Sequence, residues 1–563
     1  MLRFFITVVC CIFALNSIAT AQLEFRRIAT TDEIAPGFAT PFTFLATRPI
    51  ISRDGRVTFN AFISQAIYTE DDSDVLELVF LDGDAAPQAG PQATHLSFGS
   101  INVNNNRDYG FLGLVDNSTF PMSGNFAHWL SSNSDISPIA IEGAIPPGFS
   151  DSYEFGGDAG GDSEPPILNE SGQMVVRWEV EKNGGLDHRG IWFQGGDELV
   201  LVAAEGEPVP NTPDGVFYNA VTGFPSLNNL GELVSRVTMG GNDIGTAEDG
   251  AIIGFRNGIT GVIVKAGDPA DFVLPGARFR NVFGASLNDA GQIAFRTVFD
   301  GPGFDSTNDS GIVVKQPFGP FSLIASEGEL APIPDANLTF FSFIDPRVNG
   351  RGDVTFVATL AGDGIGQSNN TAIFISIGGQ LQLLAREGDP VPGTRTGQVL
   401  GNISTHALNN QGQVAFHTNV VAASGATGVF ATDINFNLLS LAVADVPFDV
   451  DTSDLGEDLR IVEDCDLRTG SAGQDGRRTC ISDDGDVVFI LSFADGSEGI
   501  FVASTQACIL GDVNLDGQVD LLDIAPFVQA IVSGEFDKQA DINFDGVVDL
   551  LDIGPFVQLL IGN

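Results

Sequence analysis

The 563-residue chain carries 73 aspartate and glutamate residues against 26 lysine and arginine residues, which gives a formal net charge of −47. A surface with this charge repels nucleic acid and anionic membranes and favours divalent cations, so nucleic-acid binding is excluded. The length allows one large repeat domain or several ordinary domains.

The first residues predict a secretory signal peptide, residues 1–21. A short basic start at Arg3 precedes an apolar run over residues 4–15, and Ala19-Thr20-Ala21 gives the small-x-small pattern that signal peptidase accepts. The apolar run is too short to span a bilayer, and no later stretch approaches 18 uninterrupted apolar residues. We therefore expect a secreted or cell-surface protein with no transmembrane segment in the mature chain.

A nine-residue phrase recurs through the body of the chain. It reads LNDAGQIAF at 287–295, VNGRGDVTF at 348–356 and LNNQGQVAF at 408–416, with variants starting at Ile51, Leu168, Leu227 and Ile481. The copies are about 60 residues apart, and a degenerate copy is expected around residues 106–113. The period predicts eight repeats over residues 22–510.

Within each phrase the residue types predict a turn followed by a strand. Asn first and Gly fourth, as at Asn288 and Gly291, suit a type I turn with a side-chain acceptor at its start. The alternation of Ile293 and Phe295 after the turn has the period of a half-buried strand. A second and a third strand follow in most copies, so each repeat is a small antiparallel sheet that must stack on its neighbours.

Such repeats form either an open β-solenoid or a closed β-propeller, and the ends of the array favour the propeller. Residues 25–37 (FRRIATTDEIAPG) resemble a third strand without a preceding phrase, whereas the last copy lacks its third strand. The N-terminal strand can therefore complete the last sheet and close the ring. We predict a mainly β fold, a propeller-like array of about eight antiparallel repeats. The phrase resembles that of bacterial secreted tandem NxxGxxAF-repeat proteins, a resemblance that implies no particular activity.

Three cysteines remain after the predicted cleavage. In an oxidising compartment the expected disulfide pair is Cys465 and Cys480, which bracket one polar loop. This pairing leaves Cys508 without a disulfide partner.

Residues 511–563 carry two calcium-loop sequences 29 residues apart, GDVNLDGQVDLLD and ADINFDGVVDLLD. Loop positions 1, 3, 5, 7, 9 and 12, with position 7 ligating through its backbone carbonyl, are the ligand positions of an EF-hand-like loop. The predicted Ca²⁺ ligands are Asp512, Asn514, Asp516, Gln518, Asp520 and Asp523 in the first loop, and Asp541, Asn543, Asp545, Val547, Asp549 and Asp552 in the second.

This duplicated pattern resembles a type I dockerin, a small α-helical calcium-binding domain, and the resemblance implies a cohesin-like protein partner. One departure concerns positions 10 and 11, which are often small or polar recognition residues in dockerins. Here they are Leu521-Leu522 and Leu550-Leu551. These pairs either bind a different partner or pack the two halves of the module together.

No zinc-protease motif or Gly-x-Ser-x-Gly elbow is present, and the histidines are scattered. The sequence therefore favours a binding or scaffold protein with a calcium-dependent tether, and a carbohydrate is a possible ligand. The alternative is a glycoside hydrolase or polysaccharide lyase carrying a dockerin, since paired carboxylates could converge in a propeller channel. Its active site would be expected in the degenerate second repeat, residues 104–108.

Overall fold

The computed structural model describes residues 23–562 apart from a set of short segments. These segments are residues 46–47, 63–64, 90–91, 117–124, 133–134, 158–164, 183–184, 197, 242–248, 335–336, 395–396, 422–425, 453–456, 507–510, 512, 514–518, 534–538, 541 and 543–546. The described residues form two compact units, one over Phe25–Thr505 and a smaller one after Thr505. The predicted signal peptide and Cys508 lie outside the described residues.

The larger unit consists of eight antiparallel sheets, which we call blades 1 to 8 in chain order. The strands up to blade 4 are β1 (Glu24–Thr30); β2 (Ile50–Ile51), β3 (Val57–Phe62), β4 (Gln65–Glu70) and β5 (Leu76–Leu81) in blade 1; β6 (Thr94–Val103), β7 (Tyr109–Asp116), β8 (Asn125–Ser132) and β9 (Asp135–Ile141) in blade 2; β10 (Tyr153–Phe155), β11 (Ile167–Leu168), β12 (Met174–Lys182), β13 (Gly185–Gln194) and β14 (Leu199–Ala204) in blade 3; and β15 (Val216–Ala220), β16 (Ser226–Leu227), β17 (Leu233–Gly241), β18 (Gly250–Arg256) and β19 (Ile259–Lys265) in blade 4.

The remaining strands are β20 (Arg278–Leu287), β21 (Ile293–Asp300), β22 (Ser310–Lys315) and β23 (Phe321–Ser326) in blade 5; β24 (Thr339–Phe343), β25 (Arg347–Val348), β26 (Val354–Ala361), β27 (Thr371–Ile377) and β28 (Gln380–Arg386) in blade 6; β29 (Val399–Leu400), β30 (Ala407–Leu408), β31 (Val414–Val421), β32 (Thr427–Thr432) and β33 (Leu438–Val443) in blade 7; and β34 (Pro447–Asp449), β35 (Leu459–Asp466), β36 (Asp486–Phe493) and β37 (Glu498–Ser504) in blade 8.

The predicted eight-bladed β-propeller is confirmed, and so is its closure. The N-terminal strand β1 pairs with β37 and supplies the outer strand of blade 8. Phe25 of β1 packs edge-on against Phe448 and Phe489, with ring centroids 5.0 and 6.5 Å away. The two ends of the propeller are therefore joined by one sheet.

The alternating residues predicted to be buried form the contacts between blades. Phe295, Phe356 and Phe416 are fully buried. Phe295 shares one apolar cluster with Val234 and Ile252 of blade 4, because neighbouring blades stack face to face. Each sheet thus buries on its neighbours the area that it cannot bury alone.

The recurring phrase forms the turn that precedes the second long strand of each blade, and it also links the blades. Asn288 Oδ1 accepts from Gln292 N at 2.9 Å and Gly291 N donates to Asn288 O at 3.0 Å, which is the predicted turn. Asn288 Nδ2 donates 2.8 Å to the carbonyl of Asn349 in the next blade. The same donation runs from Asn104, Asn169, Asn228, Asn349 and Asn409, so the turns form a hydrogen-bonded chain around the ring.

The degenerate copy of the phrase occupies residues 103–111, a few residues earlier than the sequence suggested. Asn104 begins its turn, and Arg107 takes the place of the glycine with a φ of +63°, where the other seven copies have glycine at positive φ. A left-handed conformation is costly for a residue with a Cβ, so this copy departs from the pattern at a strained position.

The expected disulfide is wrong, because Cys465 and Cys480 are both free and buried. The Cys465 sulfur points into blade 7, 3.4 Å from Thr427 Oγ1. Burial raises the pKa of the Cys465 thiol to about 12, so it stays protonated.

The smaller unit contains two helices, α1 (Ile524–Ser533) and α2 (Ile553–Gly562). Its core includes Val513, Ile542 and Val548 around the rings of Phe527 and Phe556, which stack at 3.9 Å. No helix among the described residues is long and apolar enough to cross a bilayer.

Candidate functional site

The described ends of the two calcium loops have matching local structure. Asp520 N donates to the Asp523 carboxylate at 2.8 Å, and Asp549 N donates to the Asp552 carboxylate at 2.9 Å. Asp523 and Asp552 are fully buried, and each begins the helix that follows it. The last residue of each loop thus holds a carboxylate inside the module at the helix N-terminus.

The donor set suits calcium, which prefers six to eight carboxylate, amide and carbonyl oxygens. Asp520 and Asp523 in the first loop and Val547, Asp549 and Asp552 in the second are described. The other predicted ligands lie outside the described residues, namely Asp512, Asn514, Asp516, Gln518, Asp541, Asn543 and Asp545. The described residues thus include the position-9 and position-12 carboxylates of both loops, which are oxygen donors of the kind that calcium prefers.

The two leucine pairs are exposed rather than packed between the halves. Leu521 and Leu550 expose 77% and 72% of their surface, and Leu522 and Leu551 expose 65% and 67%. The Phe527–Phe556 stack joins the halves instead. The leucines therefore form two equivalent apolar patches that are free to contact a partner.

In the propeller, the long last repeat sends residues 467–480 into the centre of the ring. This channel segment bonds to blades 1, 3, 4 and 7 through backbone contacts: Thr479 O accepts from Ile51 N, Gly476 O from Leu168 N, Asp475 O from Leu227 N, and Ser471 O from Leu408 N, at 2.9–3.1 Å. Asn102 Nδ2 of blade 2 and Asp289 N of blade 5 also donate to it. Only a segment on the axis can reach so many blades, so it closes part of the central channel.

Beside the channel segment lies a pocket of about 530 Å³. The inner parts of blades 3 to 7 and the channel segment line it. Its apolar surface includes Pro166, Ile167, Phe224 and Phe283. Its charged lining consists of Arg236, Arg296, Arg347, Arg468, Arg477, Arg478 and Asp345.

Sequence reasoning missed this pocket, although one signal for it was available. The last repeat is longer than the others and its extra residues carry three arginines, Arg468, Arg477 and Arg478, in a chain with few basic residues. The pocket's other arginines lie in blades 4 to 6. Arg236 and Arg296 each directly follow a copy of the recurring phrase, 60 residues apart, but Arg177 holds the same place in blade 3 and does not line the pocket. No repeat spacing relates them to Arg347.

Residues 104–108, the region suggested for an active site, take part in the hydrogen bonds between blades. Asn104 Nδ2 donates to Asp108 at 2.8 Å and to Asn169 O at 3.0 Å, so residues 104–108 form an interblade turn. His95 and His406 are buried, and burial lowers their pKa values to about 4 and about 3. No cluster of three or more potential metal-binding side chains occurs within the part of the chain that is described.

The model of a family of unknown function, DUF7453, matches residues 17–194 and 164–508, and the model of the type I dockerin domain matches residues 510–554. No curated protein matches the chain.

Similar solved structures include the β-propeller domain of the Trilobed protease from Pyrococcus furiosus, 9% identical over 71% of this chain and 98% of that chain, with a TM-score of 0.37. A puromycin-hydrolyzing peptidase of Mycobacterium tuberculosis is 10% identical over 79% and 58%, with a TM-score of 0.36. An α-L-arabinanase of Penicillium chrysogenum is 11% identical over 62% and 96%, with a TM-score of 0.27. At these TM-scores the similarities carry no functional argument.

Proposed function

Because the chain belongs to the DUF7453 family and ends in a type I dockerin domain, we propose that it is a secreted binding protein held by a calcium-dependent tether. The propeller is the binding body, and the dockerin module attaches it to a cohesin-like protein at or outside the cell surface. The proposal includes cleavage after Ala21 and the resemblance to secreted tandem NxxGxxAF-repeat proteins.

The duplicated leucine patches carry this proposal. They occupy equivalent places at the start of α1 and α2, and 65–77% exposure of four leucines in a small module is costly unless a partner covers them. Calcium contributes by neutralising the four aspartates of each loop and so ordering the loop ends that carry the leucines.

Calorimetric titration of the full-length protein with a type I cohesin domain tests the tether. We expect saturable binding in calcium that chelator abolishes. Leu521→Lys combined with Leu550→Lys should weaken binding at least tenfold, because a lysine at the centre of an apolar contact must be desolvated. Phe318→Lys, a change at a side chain 90% exposed on the propeller, is the matched control and should leave the affinity unchanged.

Equal cohesin binding by the double leucine variant and the parent would rule out the leucine patches as the contact surface. No calcium-dependent binding by a folded module would rule out the tether itself. Export is tested separately by mass spectrometry of the extracellular protein, whose N-terminus should be Gln22.

A further inference from the structure

The pocket beside the channel segment has a charge opposite to that of the protein. Six of the 26 basic residues line it, against one carboxylate, Asp345, while the whole chain carries −47. Arginines from blades 4, 5 and 6 meet three from the channel segment there. With charges of one sign gathered in a concave, partly apolar space, the local field favours an anion.

Several of these arginines already use their donors within the protein. Arg236 Nε donates to Val282 O at 3.0 Å, Arg296 Nε donates to Asp345 Oδ1 at 3.2 Å, and Arg477 Nε donates to Pro225 O at 3.1 Å. The guanidinium groups of Arg236 and Arg296 also lie over the Phe283 ring, 5.4 and 3.9 Å from its centroid. These arginines are fixed and give the pocket its shape.

Arg468 and Arg478 differ from them. Within the described part of the chain, neither side chain has a hydrogen bond or an ion pair to protein, and the buried Nε of Arg468 is unpartnered. The Nε of Arg347, another lining residue, is also buried and unpartnered among described residues. A buried guanidinium N–H without an acceptor is costly, so these groups are suited to receive acceptors from a ligand.

The pKa values of Arg478 and Arg347 agree with the burial and crowding of these side chains. Burial, together with the neighbouring Arg468 and Arg48 guanidinium groups, lowers the pKa of Arg478 to about 9. Burial and the neighbouring Arg477 lower the pKa of Arg347 to about 10. The pocket thus holds desolvated like charges whose repulsion an anion would relieve.

We propose that this pocket binds a small organic anion with two or more carboxylate groups, which Arg468, Arg478 and Arg347 contact. The planar guanidinium fork matches a carboxylate, and about 530 Å³ is the size of a small-molecule site. Phe224, Phe283 and Pro166 provide apolar surface for the carbon skeleton. Since charges are screened beyond about 8 Å at physiological ionic strength, the acidic outer surface does not cancel the local field.

Two kinds of ligand carry such carboxylate groups, a free dicarboxylic acid and an acidic sugar. Separate titrations distinguish between them. Full-length protein in calcium is titrated with succinate, with digalacturonate, and with dimethyl succinate as the uncharged match. The proposal requires saturable binding of at least one acid and none of the ester. The acid that binds more tightly identifies the source.

Arg478→Gln and Arg468→Gln are the test variants, and Arg256→Gln is the control because it removes the same charge from a side chain that is 58% exposed outside the pocket. Each test variant should weaken acid binding at least tenfold, and the control by less than twofold. Without ligand, Arg478→Gln should melt no lower than the parent, because it removes one of two repelling charges. This readout shows that lost binding is not lost folding.

Absence of saturable binding by both acids overturns the proposal. Equal binding of succinate and its ester, or undiminished binding by the folded Arg468→Gln and Arg478→Gln variants, overturns it as well. The titrations with acids do not depend on the dockerin module, so a negative result leaves the cohesin test unaffected.

Discussion

Replacing Asn288 should show how much the interblade hydrogen bonds stabilise the ring. Asn288 is fully buried; its Oδ1 accepts from Gln292 N, and its Nδ2 donates to Gln292 Oε1 at 2.7 Å and to Asn349 O at 2.8 Å. Asn288→Ala removes all three contacts and leaves the Gln292 N–H without its acceptor. Asn288→Ser retains a turn acceptor, as Ser52 and Ser482 do for Arg56 N and Asp486 N at 3.0 Å.

Comparing the two variants therefore separates the contribution of the hydrogen bond within the turn from that of the hydrogen bond between blades. The Asn349 carbonyl keeps a second donor, Gly352 N at 3.0 Å, so losing the link alone should cost about 1 kcal/mol, the net value of a hydrogen bond. The orphaned Gln292 N–H adds a penalty of about 1–3 kcal/mol, which gives roughly 2–4 kcal/mol for Asn288→Ala. In a cooperative unit as large as Phe25–Thr505, each kcal/mol lowers Tm by only about 1 °C.

Urea unfolding followed by tryptophan fluorescence is the appropriate assay. All three tryptophans, Trp129, Trp178 and Trp192, lie in blades 2 and 3, whereas Asn288 follows β20 of blade 5. A shift in the unfolding transition of these tryptophans therefore shows that destabilising blade 5 also destabilises blades 2 and 3. Asn219→Ala, at an exposed site in blade 4, is the control and should stay within about 0.5 kcal/mol.

Equal costs for Asn288→Ala and Asn288→Ser would refute the role of the turn acceptor. A tryptophan transition that does not move while calorimetry detects destabilisation would refute the cooperative ring.

Three further predictions concern closure, calcium and pH. Deleting residues 22–37 removes β1 from blade 8 and should lower the tryptophan transition in distant blades 2 and 3; an unchanged transition would mean that closure does not couple the blades. Asp512→Ala with Asp541→Ala should abolish calcium-coupled folding of residues 511–563, seen as loss of the calcium-dependent calorimetric transition, with the propeller transition retained. Burial lowers the pKa of His95 from 6.5 to about 4, so the native state disfavours its protonation, and the stabilisation present above pH 6.5 is lost as pH falls toward 4. His95→Phe, among Phe98, Phe111 and Trp129, should flatten the pH profile of stability in that window, by up to about 3 kcal/mol; an unaltered profile would assign the acid sensitivity elsewhere.

The sequence by itself determined the repeated parts of this protein, because each is specified by residues close together in the chain. Asn288 and Gly291 are three positions apart and define a turn, and Ile293 and Phe295 define the buried face of the next strand. The period of about 60 residues and the unmatched strand at 25–37 were enough to predict eight blades and their closure. The calcium ligands stay a prediction of the same local kind, since their positions follow from the spacing within one turn.

Only the tertiary structure decided what lies at the centre of the ring. Arg236 of blade 4, Arg347 of blade 6 and Arg478 of the channel segment are far apart in sequence. They line one pocket because closing the ring brings the inner parts of the blades to one axis. The tertiary structure also places the Cys465 sulfur against Thr427 of blade 7 and leaves both Cys465 and Cys480 free. A pattern in the sequence specifies which face of a strand is buried, whereas convergence on an axis depends on how all eight sheets are arranged around it.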